Sequence, residues 1–466
     1  MVVMKFGGSS LKNADSMHEI CGIIKKNSFS KRVVVQSAVN GITNMLIEAT
    51  AKALESESSI DGSIQAIRAK HEPLIQGGLK DAGIRKSASK SLDDLIARLK
   101  KLLQGVAYTG EATQRTRDNI LSLGERMAVH IMAACLRDIG VPAEAVESDR
   151  IGMISHGEWG QGTVDKQKAR KLIPKSLHPI LQAGAIPIVT GFFGQTEEGD
   201  PITFGRGGSD YSAAVLADAL ESERLEIWKD VDGFLSGSPE MVKGGQLLSN
   251  LSYDEAAELS YFGAKILHPR TVEPLLERKI PIVIRNTFNP DGIGTWIGNE
   301  KYVHSGIVKS VTFDRNVAML RVHGADVGYA VGLLAGLVTQ LSSAGVNIRS
   351  VMTSQTCINI LLDRNDLRQG YDRISAMNLE EADAVEAVEN ISLVAIVGEG
   401  LSGAEGLVAR AIRALSHANI HGEMVISGAS KVAAYFIVPE NHLKKAVSSV
   451  HEAFFGTALG ADEESE

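Results

Sequence analysis

The residues best suited to chemistry lie in the run Phe204-Gly-Arg-Gly-Gly-Ser-Asp-Tyr-Ser212, directly before a predicted helix at 212–219. The three glycines of this run let backbone N–H groups approach an anion closely, and a helix N-terminus favours negative charge. Arg206 can hold a carboxylate or a phosphate through two parallel hydrogen bonds. An ordinary glycine turn needs neither Arg206 nor Asp210, so the run predicts a functional anion-binding site.

A second glycine-bearing turn, within Lys5-Phe-Gly-Gly-Ser-Ser10, ends the first predicted strand. Ligands of open α/β sheets collect at the carboxyl ends of strands. Lys5 supplies a positive charge there, Gly7 and Gly8 let backbone amides reach a phosphate, and Ser9 adds a hydroxyl donor. Alone, a Gly-Gly turn is more often just a turn. Beside the first glycine run, it predicts one half of a nucleotide site.

Other charged residues have an ordinary structural explanation as well as a functional one. In Trp228-Lys-Asp-Val-Asp-Gly233, the carboxylates of Asp230 and Asp232 could accept from ribose hydroxyls or hold Mg²⁺ through water. The same residues could simply form an Asp-Gly turn. Lys265, just past a predicted helix, could be a solvated surface cation. Glu125 lies within a helix among apolar neighbours, and such a glutamate is often a surface residue.

The elements that would position these residues alternate between strands and helices, which is typical of an α/β layer fold. Residues 55–118 have the helical spacing and charge of a solvent-facing excursion from that fold. Strands are predicted at 2–6, 32–36, 142–147, 185–190, 225–228 and 280–285, and helices at 14–26, 43–54, 120–139, 212–219 and 253–262.

Beyond about residue 305 the sequence repeats itself. The segment 320–324 (LRVHG) aligns with 394–398 (VAIVG). In the same register and without any gap, 341–347 (LSSAGVN) aligns with 415–421 (LSHANIH). Each repeat has the pattern strand, glycine turn, helix, strand, strand, which predicts two small α+β units in tandem.

Composition limits the class of protein. A chain of 466 residues is too long for one core, so two to four domains are expected. The net charge of −8 argues against nucleic acid as a partner, and no apolar run is long enough to span a bilayer. The three cysteines are widely spaced and have no histidine at metal-ligand spacing. They indicate a reducing compartment, so we expect the cytoplasm.

The sequence argues against three other kinds of nucleotide site. The chain contains no GxxxxGK[ST] loop, and it lacks the His-Arg-Asp and Asp-Phe-Gly motifs of protein kinases. Gly398-Glu-Gly-Leu-Ser-Gly403 does match the dinucleotide pattern GxGxxG. The stretch that follows it, from 404 to 466, is too short for a Rossmann sheet, so NAD is not the expected ligand.

Together these segments resemble the aspartate kinases of the amino acid kinase family. The resemblance covers nearly the whole chain and rests on KFGGSS at 5–10, SLGE at 122–125, GFFG at 191–194, GRGGSDYSA at 205–213, WKDVDG at 228–233, LSYDEAAELSYFGAKILHPRT at 251–271 and RNTFNP at 285–290. It implies a three-layer α/β/α catalytic domain at 1–300. Two ferredoxin-like α+β ACT domains would follow at 305–385 and 386–460, with their units interleaved in many relatives. No homoserine dehydrogenase domain fits after them, so the chain resembles the monofunctional enzymes.

The resemblance implies transfer of the γ-phosphoryl group of MgATP to the β-carboxylate of L-aspartate. The product, 4-phospho-L-aspartate, leads to lysine, threonine and methionine. Phosphoryl transfer needs positioning and charge neutralisation more than covalent help. A carboxylate nucleophile is already ionised at neutral pH, so the lack of a histidine or cysteine nucleophile is consistent with this reaction.

The resemblance also implies the role of each site residue. Lys5 would stabilise the charge developing between the β- and γ-phosphates, and Asp210 would organise Lys5. Arg206 would hold the α-carboxylate of aspartate and Glu125 its α-ammonium group. The implied ATP-binding residues are Lys5, Gly7, Gly8, Ser9, Gly207, Gly208, Lys229, Asp230 and Lys265. The implied aspartate-binding residues are Ser37, Thr43, Glu125, Phe192, Arg206, Ser209 and Asp210. No residue is assigned as a direct metal ligand.

The chain departs from the family pattern in two places. Leu235 and Glu240 stand where relatives commonly carry an aromatic residue and an arginine that touch the nucleotide, and Lys229 could replace the lost cation. Among the repeats, only the first keeps the Asn-Ile pair of effector-binding ACT units. We therefore expect an amino-acid effector, lysine or threonine, near Asn347 and Ile348 alone. Tandem ACT units also imply a homodimer or a larger assembly.

Two rival functions remain open from the sequence. One is another amino acid kinase, acting on glutamate, N-acetylglutamate, carbamate or a nucleoside monophosphate, although the pair of Arg206 and Glu125 argues against the last two. The other is an ACT amino-acid sensor whose catalytic domain has decayed, although the retention of Lys5, Arg206, Asp210 and Lys265 argues against decay.

Overall fold

A computed structural model describes residues 1–263, 266–302, 306–377, 379–380 and 382–456. None of the helices in these ranges has the length and apolar character needed to cross a membrane. The chain divides into two compact units. The first unit comprises Met1–Phe234, Leu247–Ser260 and Lys265–Lys301, and the second comprises Leu235–Gln246, Tyr261–Ala264 and Tyr302–Glu466.

The first unit is built around an eight-stranded, mostly parallel sheet. The strands of this unit, eight of which form the large sheet, are β1 (Val2–Phe6), β2 (Arg32–Gln36), β3 (Ala143–Val146), β4 (Ser155–His156), β5 (Thr163–Val164), β6 (Ile186–Thr190), β7 (Phe193–Gln195), β8 (Pro201–Thr203), β9 (Arg224–Lys229), β10 (Asn250–Ser252), β11 (Ile282–Asn286) and β12 (Thr295–Gly298). The large sheet has the order β10-β12-β11-β9-β1-β2-β6-β3, and β4-β5 and β7-β8 form two-stranded ribbons. β11 and β12 pair in antiparallel fashion and β10 is parallel to β12, so β10 and β12 run opposite to the other six strands of this sheet. The six predicted strands correspond to β1, β2, β3, β6, β9 and β11, whereas β12 follows the last predicted strand and was not predicted.

Helices cover both faces of this sheet, which makes the first unit a three-layer α/β/α structure. They are α1 (Ala14–Lys26), α2 (Ile42–Glu55), α3 (Ser59–Gln76), α4 (Ala82–Thr109), α5 (Gln114–Asp138), α6 (Lys166–Gln182), α7 (Gly208–Ala219) and α8 (Tyr253–Tyr261). Alternate residues of β1 explain the layers, because successive side chains of a strand point to opposite faces. Met4 and Phe6 share a buried core with α1 and α5, whereas Lys5 faces α7.

Helix α7 begins at Gly208, one turn before the predicted start at 212. Gly207 caps it with a positive φ of 74°, a conformation that glycine adopts without strain. The prediction was wrong here because the glycine run was interpreted as a turn throughout. As a consequence, Ser209 and Asp210 lie in the first turn of the helix, at its positive end.

The second unit contains two four-stranded antiparallel sheets with two helices each. Its elements are β13 (Ser310–Asp314), β14 (Val317–His323), α9 (Leu333–Ser343), β15 (Ile348–Thr353), β16 (Cys357–Asp363), α10 (Leu367–Ser375), β17 (Ala384–Val388), β18 (Ile391–Val397), α11 (Leu407–His417), β19 (Met424–Ile426), β20 (Ala433–Pro439) and α12 (Leu443–Phe455). The sheet orders are β15-β16-β14-β17 and β13-β18-β20-β19.

The two repeats exchange their first strands. β13 and β17 occupy equivalent positions of the sequence repeat, yet β13 pairs with β18 and β17 pairs with β14. Each sheet therefore takes one strand from the other repeat. A cut between residues 385 and 386 does not separate the two sheets, because β13 lies before the cut and pairs beyond it.

The GxGxxG match at 398–403 has a structural role. Gly398 follows β18, and a Cβ atom there would lie 2.0 Å from the carbonyl oxygen of Ile307. The next α-helix, α11, starts only at Leu407. The third glycine of the motif therefore does not open an α-helix, as a dinucleotide site requires.

Candidate active site

A cavity of about 300 Å³ lies at the carboxyl ends of the central strands of the first unit. Eleven of the residues predicted to bind ATP or aspartate line it: Lys5, Gly8, Ser37, Thr43, Glu125, Phe192, Arg206, Gly207, Gly208, Ser209 and Asp210. The N-termini of α2 and α7 both contribute to its wall, through Gly41 and Gly207. Two helix N-termini at one cavity favour an anionic ligand.

Asp210 lies between two lysines. Its Oδ1 atom is 2.6 Å from Nζ of Lys5, and its Oδ2 atom is 3.3 Å from Nζ of Lys229. Burial alone would raise the pKa of Asp210, but the two ammonium groups outweigh it and lower that pKa to about 2. Burial also lowers the pKa of Lys5, an effect that the carboxylate of Asp210 opposes. The three side chains thus hold one net positive charge at the end of β1.

Glu125 faces the same cavity from the buried face of α5 and is only 2% exposed. Its Oε1 atom accepts a hydrogen bond from the backbone N–H of Ala38 at 3.2 Å, whereas its buried Oε2 atom has no partner among the described residues. Burial raises the pKa of Glu125 to about 8, against the opposing effects of that hydrogen bond and of Lys5. A carboxylate of this kind would gain strongly from a cationic ligand.

Arg206 is exposed at the mouth of the cavity and makes no hydrogen bond or ion pair with the described part of the chain. It stands one residue before the cap of α7. Gly205 and Gly207 both have positive φ, 72° and 74°, so the chain turns sharply around the guanidinium. A Cβ atom at Gly207 would lie 2.3 Å from that of His268, so only glycine fits there.

Phe192 has a positive φ of 76°, which is unusual for a bulky residue and costs about 1–3 kcal/mol. It lines the cavity between Gly191 and the buried Phe193. A Cβ atom at Gly191 would lie 2.8 Å from that of Ser209, so glycine also allows these two segments to meet. The sequence does not reveal the strained conformation of Phe192.

Four further predicted nucleotide residues do not line the cavity, namely Gly7, Ser9, Lys229 and Asp230. Ser9 donates a hydrogen bond to Asp230 at 3.2 Å, which ties the first glycine turn to the end of β9. The backbone N–H of Gly7 donates a hydrogen bond to the carbonyl oxygen of Trp228, which lies in β9. Asp232 accepts hydrogen bonds from the side chains of Asn286 and Asn289 at 2.9 and 3.1 Å. Lys265 lies outside the described residues.

Two parts of the site were not predicted. The residues 38–41, between β2 and α2, also line the cavity, and the sequence Ser37-Ala-Val-Asn-Gly41, which is typical of a turn, was the available signal. Arg270 donates to the carbonyl oxygens of Phe204 and Gly162 at 3.1 and 2.9 Å and lies over the ring of Tyr211. It therefore fixes the chain on entry to the Gly-Arg-Gly-Gly turn.

A second cavity in the first unit, of about 410 Å³, lies between α1 and the 287–291 segment. Its floor includes Trp228 and Arg285, and none of the predicted catalytic residues lines it. The clustering of Lys5, Arg206, Asp210 and Glu125 thus distinguishes the first cavity as the candidate active site.

Comparison with known proteins agrees with this geometry. The profile of the amino acid kinase family matches residues 1–286, and an ACT domain profile matches residues 394–454. Aspartokinase 1, chloroplastic, from Arabidopsis thaliana is 32% identical over 460 residues, which cover 97% of this chain and 80% of that protein.

The chain belongs to the aspartokinase family. It is thus an aspartate kinase with ACT regulatory domains, an enzyme that phosphorylates a carboxyl group.

Solved aspartokinase structures share the fold along the whole chain. E. coli aspartokinase III in complex with aspartate and ADP superposes with a TM-score of 0.84 at 27% identity, covering 98% of this chain and 100% of that one. The same enzyme in complex with lysine and aspartate gives a TM-score of 0.80, covering 98% and 99% of the two chains. Both the α/β/α unit and the paired ACT sheets are therefore features of the family.

The predicted effector residues of this aspartokinase lie where α9 leads into β15. Gly345, with a φ of 71°, ends α9, Asn347 is exposed, and Ile348 opens the strand. In the second repeat, Asn419 takes the equivalent positive-φ position at 54°. His421 and Gly422 follow it, so the second turn offers no Asn-Ile pair.

The segment Leu235–Gln246, which includes Leu235 and Glu240, belongs to the second unit. Met241 and Val242 join the core of the β18-β20 sheet there. Ser236 bonds to Nε2 of His451 at 3.1 Å, and its backbone N–H donates to Gln246. These contacts give Leu235–Gln246 a packing role within that unit.

Proposed function

We propose that the first unit transfers the γ-phosphoryl group of ATP to the β-carboxylate of L-aspartate, and that the residues of the 300 Å³ cavity do so. One observation carries the assignment of the substrate site: Arg206 and the Oε2 atom of Glu125 line one cavity, and neither has a partner among the residues that the structure describes. A guanidinium and a carboxylate are complementary to the two charges of a free α-amino acid. Arg206 binds the α-carboxylate and Glu125 binds the α-ammonium group.

The rest of the cavity wall orients the β-carboxylate. Ser37, Thr43 and Ser209 offer hydroxyl donors, and Phe192 supplies an apolar wall. In the reaction, an oxygen of the ionised β-carboxylate forms a bond to the γ-phosphorus while the bond between that phosphorus and the bridging oxygen of ADP breaks. No proton has to leave the nucleophile, so the site needs no general base.

Lys5 neutralises the charge that develops on the phosphates during transfer. Its ammonium group lies at the end of β1, and its ion pair with Asp210 holds it in place. Preorganised cations of this kind stabilise a phosphoryl-transfer transition state without reorganising during the reaction. Lys229 shares Asp210 and adds the second positive charge, in place of the cation missing at Glu240.

ATP is the proposed donor, bound by the backbone amides of Gly7, Gly8, Gly207 and Gly208, by Ser9, Lys229 and Asp230, and by Lys265. The described residues contain no group of three or more histidine, cysteine or carboxylate side chains that could hold a metal ion. Mg²⁺ would therefore be bound chiefly by the phosphates, as Mg²⁺ in nucleotide sites commonly is. Its contribution is charge neutralisation on those phosphates.

Feedback regulation, assembly and location complete the proposal. Asn347 and Ile348 bind the amino-acid effector, lysine or threonine, and the ACT sheets mediate a homodimer or larger assembly. A cytoplasmic location is proposed from the reducing compartment that the free cysteines indicate.

A hydroxylamine-trapping assay with ATP tests the reaction, because an acyl phosphate gives a coloured hydroxamate. We expect signal with L-aspartate and none with L-glutamate. Lys5→Ala should lower kcat by at least about 100-fold, the effect of losing one preorganised charge donor. Signal with glutamate alone would replace the substrate assignment, and an unimpaired Lys5→Ala variant would overturn the site.

A further inference from the structure

Phe192 is the central residue of a tight three-residue turn at the candidate active site. The backbone N–H of Phe193 donates to the carbonyl oxygen of Gly191 at 3.0 Å, and Phe192 between them has a φ of 76°. A positive φ together with this hydrogen bond is typical of the rare, strained form of γ-turn. The ring of Phe192 lies against the start of α7, because a Cβ atom at Gly208 would be 2.9 Å from its Cδ2 atom. Such a conformation persists only where neighbouring contacts enforce it.

The residue that follows this turn is attached to the segment 147–149. The Oγ atom of Ser148 donates to the carbonyl oxygen of Phe193 at 2.6 Å. Ser148 is completely buried, and its backbone N–H donates to Oγ1 of Thr190 at 2.8 Å. The hydroxyl of Thr190 donates in turn to Oγ of Ser148 at 2.9 Å. Ser148 therefore ties the strand that enters the turn to the residue that leaves it.

Arg126 contacts both the segment 147–149 and the ring of Phe193. It lies on α5 and is only 1% exposed. Its Nη1 and Nη2 atoms lie 3.3 and 2.5 Å from the two carboxylate oxygens of Asp149, and Nη1 also lies 2.5 Å from Oε2 of Glu147. The central carbon of the guanidinium lies 4.8 Å from the ring centre of Phe193, a distance at which a cation attracts an aromatic ring.

Arg126 thereby connects two walls of the cavity. Glu125, the residue before it on α5, lines the cavity, and so does Phe192, the residue before the ring that Arg126 contacts. A planar guanidinium held by two carboxylates keeps one orientation, because rotation would break its contacts with both. It is therefore a rigid support for the ring of Phe193, and it fixes the strained turn relative to α5.

We propose that Arg126 is a positioning residue for aspartate, which keeps the turn at Phe192 in the strained conformation that forms a wall of the aspartate pocket. The inference rests on the proposed function, because it takes the aspartate-binding role of Phe192 from there. Without Arg126, the turn relaxes to a less strained backbone conformation in a fraction of the molecules. Aspartate then binds only the remaining fraction, so its apparent affinity falls accordingly, whereas saturating aspartate restores the turn.

Steady-state kinetics of the full chain test this inference. Arg126→Ala should raise the KM for aspartate roughly fivefold or more, because only part of the population is competent to bind it. The KM for ATP should stay unchanged, and kcat at saturating aspartate should change less than about threefold, because aspartate itself restores the turn. Arg126→Lys should give an intermediate KM for aspartate, since lysine keeps the charge but not the two parallel hydrogen bonds.

Ser148→Ala tests the same contacts without leaving a charge uncompensated. Arg126→Ala removes the cation between Glu147 and Asp149, so a thermal denaturation test must first show that this variant folds. Ser148→Ala removes only hydroxyl hydrogen bonds, among them the one to the carbonyl oxygen of Phe193. It should raise the KM for aspartate in the same direction, whether or not Arg126→Ala folds.

Arg170→Ala is the matched control. Arg170 lies on α6 of the same unit, where it donates to the two carboxylate oxygens of Asp218 at 2.8 and 2.9 Å and also to Glu277. Within the described residues it has no hydrogen bond or ion pair with the segment 147–149 or with the turn at 191–193. Its loss should therefore leave the KM for aspartate unchanged.

Arg206→Ala distinguishes failure of this inference from failure of the proposed function. A raised KM for aspartate in Arg206→Ala, with unchanged values in Arg126→Ala and Ser148→Ala, overturns the positioning role and leaves the proposed function intact. An unchanged KM for aspartate in Arg206→Ala overturns the proposed aspartate pocket and, with it, the inference. An equal rise after Arg170→Ala, or an equal rise in the KM for ATP of Arg126→Ala, would show a general destabilisation and also overturn the inference.

Discussion

The carboxylate of Asp210 lies 2.6 Å from the ammonium nitrogen of Lys5, and both side chains are almost completely buried. The first comes from the first turn of α7 and the second from β1, so this ion pair joins a helix to the sheet at the candidate active site. Buried ion pairs rarely add much net stability, but removing one partner leaves an uncompensated charge. We therefore expect the ion pair to determine the position of the Lys5 ammonium group as well as to contribute to folding.

Asp210→Asn should lower both stability and activity, because it leaves the ammonium groups of Lys5 and Lys229 close together without a carboxylate between them. The free energy of unfolding should fall by about 3 kcal/mol or more, as for other broken buried pairs. Chemical denaturation measures that loss, and the hydroxamate assay should show a kcat lowered more than tenfold.

Asp218→Asn is the control for this substitution. Asp218 is also buried on α7, where it pairs with Arg170 at 2.8 Å and Arg278 at 3.2 Å, but it does not line the cavity. We expect Asp218→Asn to lose stability while kcat changes only a few-fold. Wild-type kcat in Asp210→Asn would contradict the role given to the ion pair.

Glu125 should make aspartate binding depend on pH. Its pKa of about 8 means that the carboxyl is mostly protonated at pH 6–7, yet it must be ionised to pair with an ammonium group. Binding therefore releases a proton, and the affinity for aspartate should rise with pH by up to about tenfold per unit below pH 8. Calorimetry in buffers of different ionisation enthalpy measures the proton directly.

Glu125→Gln should bind aspartate weakly and without this pH dependence. Stability gives a second readout. The folded-state pKa lies above the unfolded value of 4.5, so the folded protein holds more protons and loses stability as pH rises from about 4.5 to 8. The Tm of Glu125→Gln should therefore fall less over that range than the wild-type Tm. Equal pH profiles in the two proteins would show that Glu125 does not titrate there.

Gly207→Ala should impair the Gly-Arg-Gly-Gly turn at 205–208 more than a comparable glycine replacement elsewhere impairs its own turn. Gly207 has a φ of 74°, and the added Cβ atom would lie 2.3 Å from that of His268. Gly199 has a φ of 89° with no atom within 4 Å of the added Cβ. Both variants should lose about 1 kcal/mol from the backbone conformation.

Only Gly207→Ala should also raise the KM for ATP and lower kcat, because the clash displaces the N-terminus of α7. Thermal denaturation and steady-state kinetics on both variants separate the two effects. A similar loss of activity in Gly199→Ala would mean that the cost comes from stability alone.

Much of the first unit was predictable because the patterns that indicate strands and helices depend on residues close together in the sequence. The alternation of buried strands with glycine turns predicted β1, β2 and β6, and the residues at their ends lie together at one edge of the sheet. Lys5 and Asp210 were predicted to act together, and the structure places them in contact. Local patterns could not reveal the positive φ of Phe192, because that conformation depends on packing around the turn.

The second unit has features that local sequence patterns do not predict. The sequence repeat predicts β13 and β17 as equivalent strands but does not say which sheet each one joins. Both choices satisfy the same alternation of side chains, and only packing between the repeats decides. Likewise, nothing in the sequence of 261–263 or of Leu235–Gln246 indicates that these segments leave the first unit.

Asn347→Ala should abolish binding of the amino-acid effector to the full chain. Asn347 is exposed in the turn between α9 and β15, whereas the equivalent turn of the second repeat carries His421. The side-chain amide can both donate to a carboxylate and accept from an ammonium group, as recognition of an amino acid requires. His421→Ala is therefore the matched control and should leave binding unchanged. Calorimetric titration with lysine and with threonine measures both variants, and intact binding in Asn347→Ala would place the effector elsewhere.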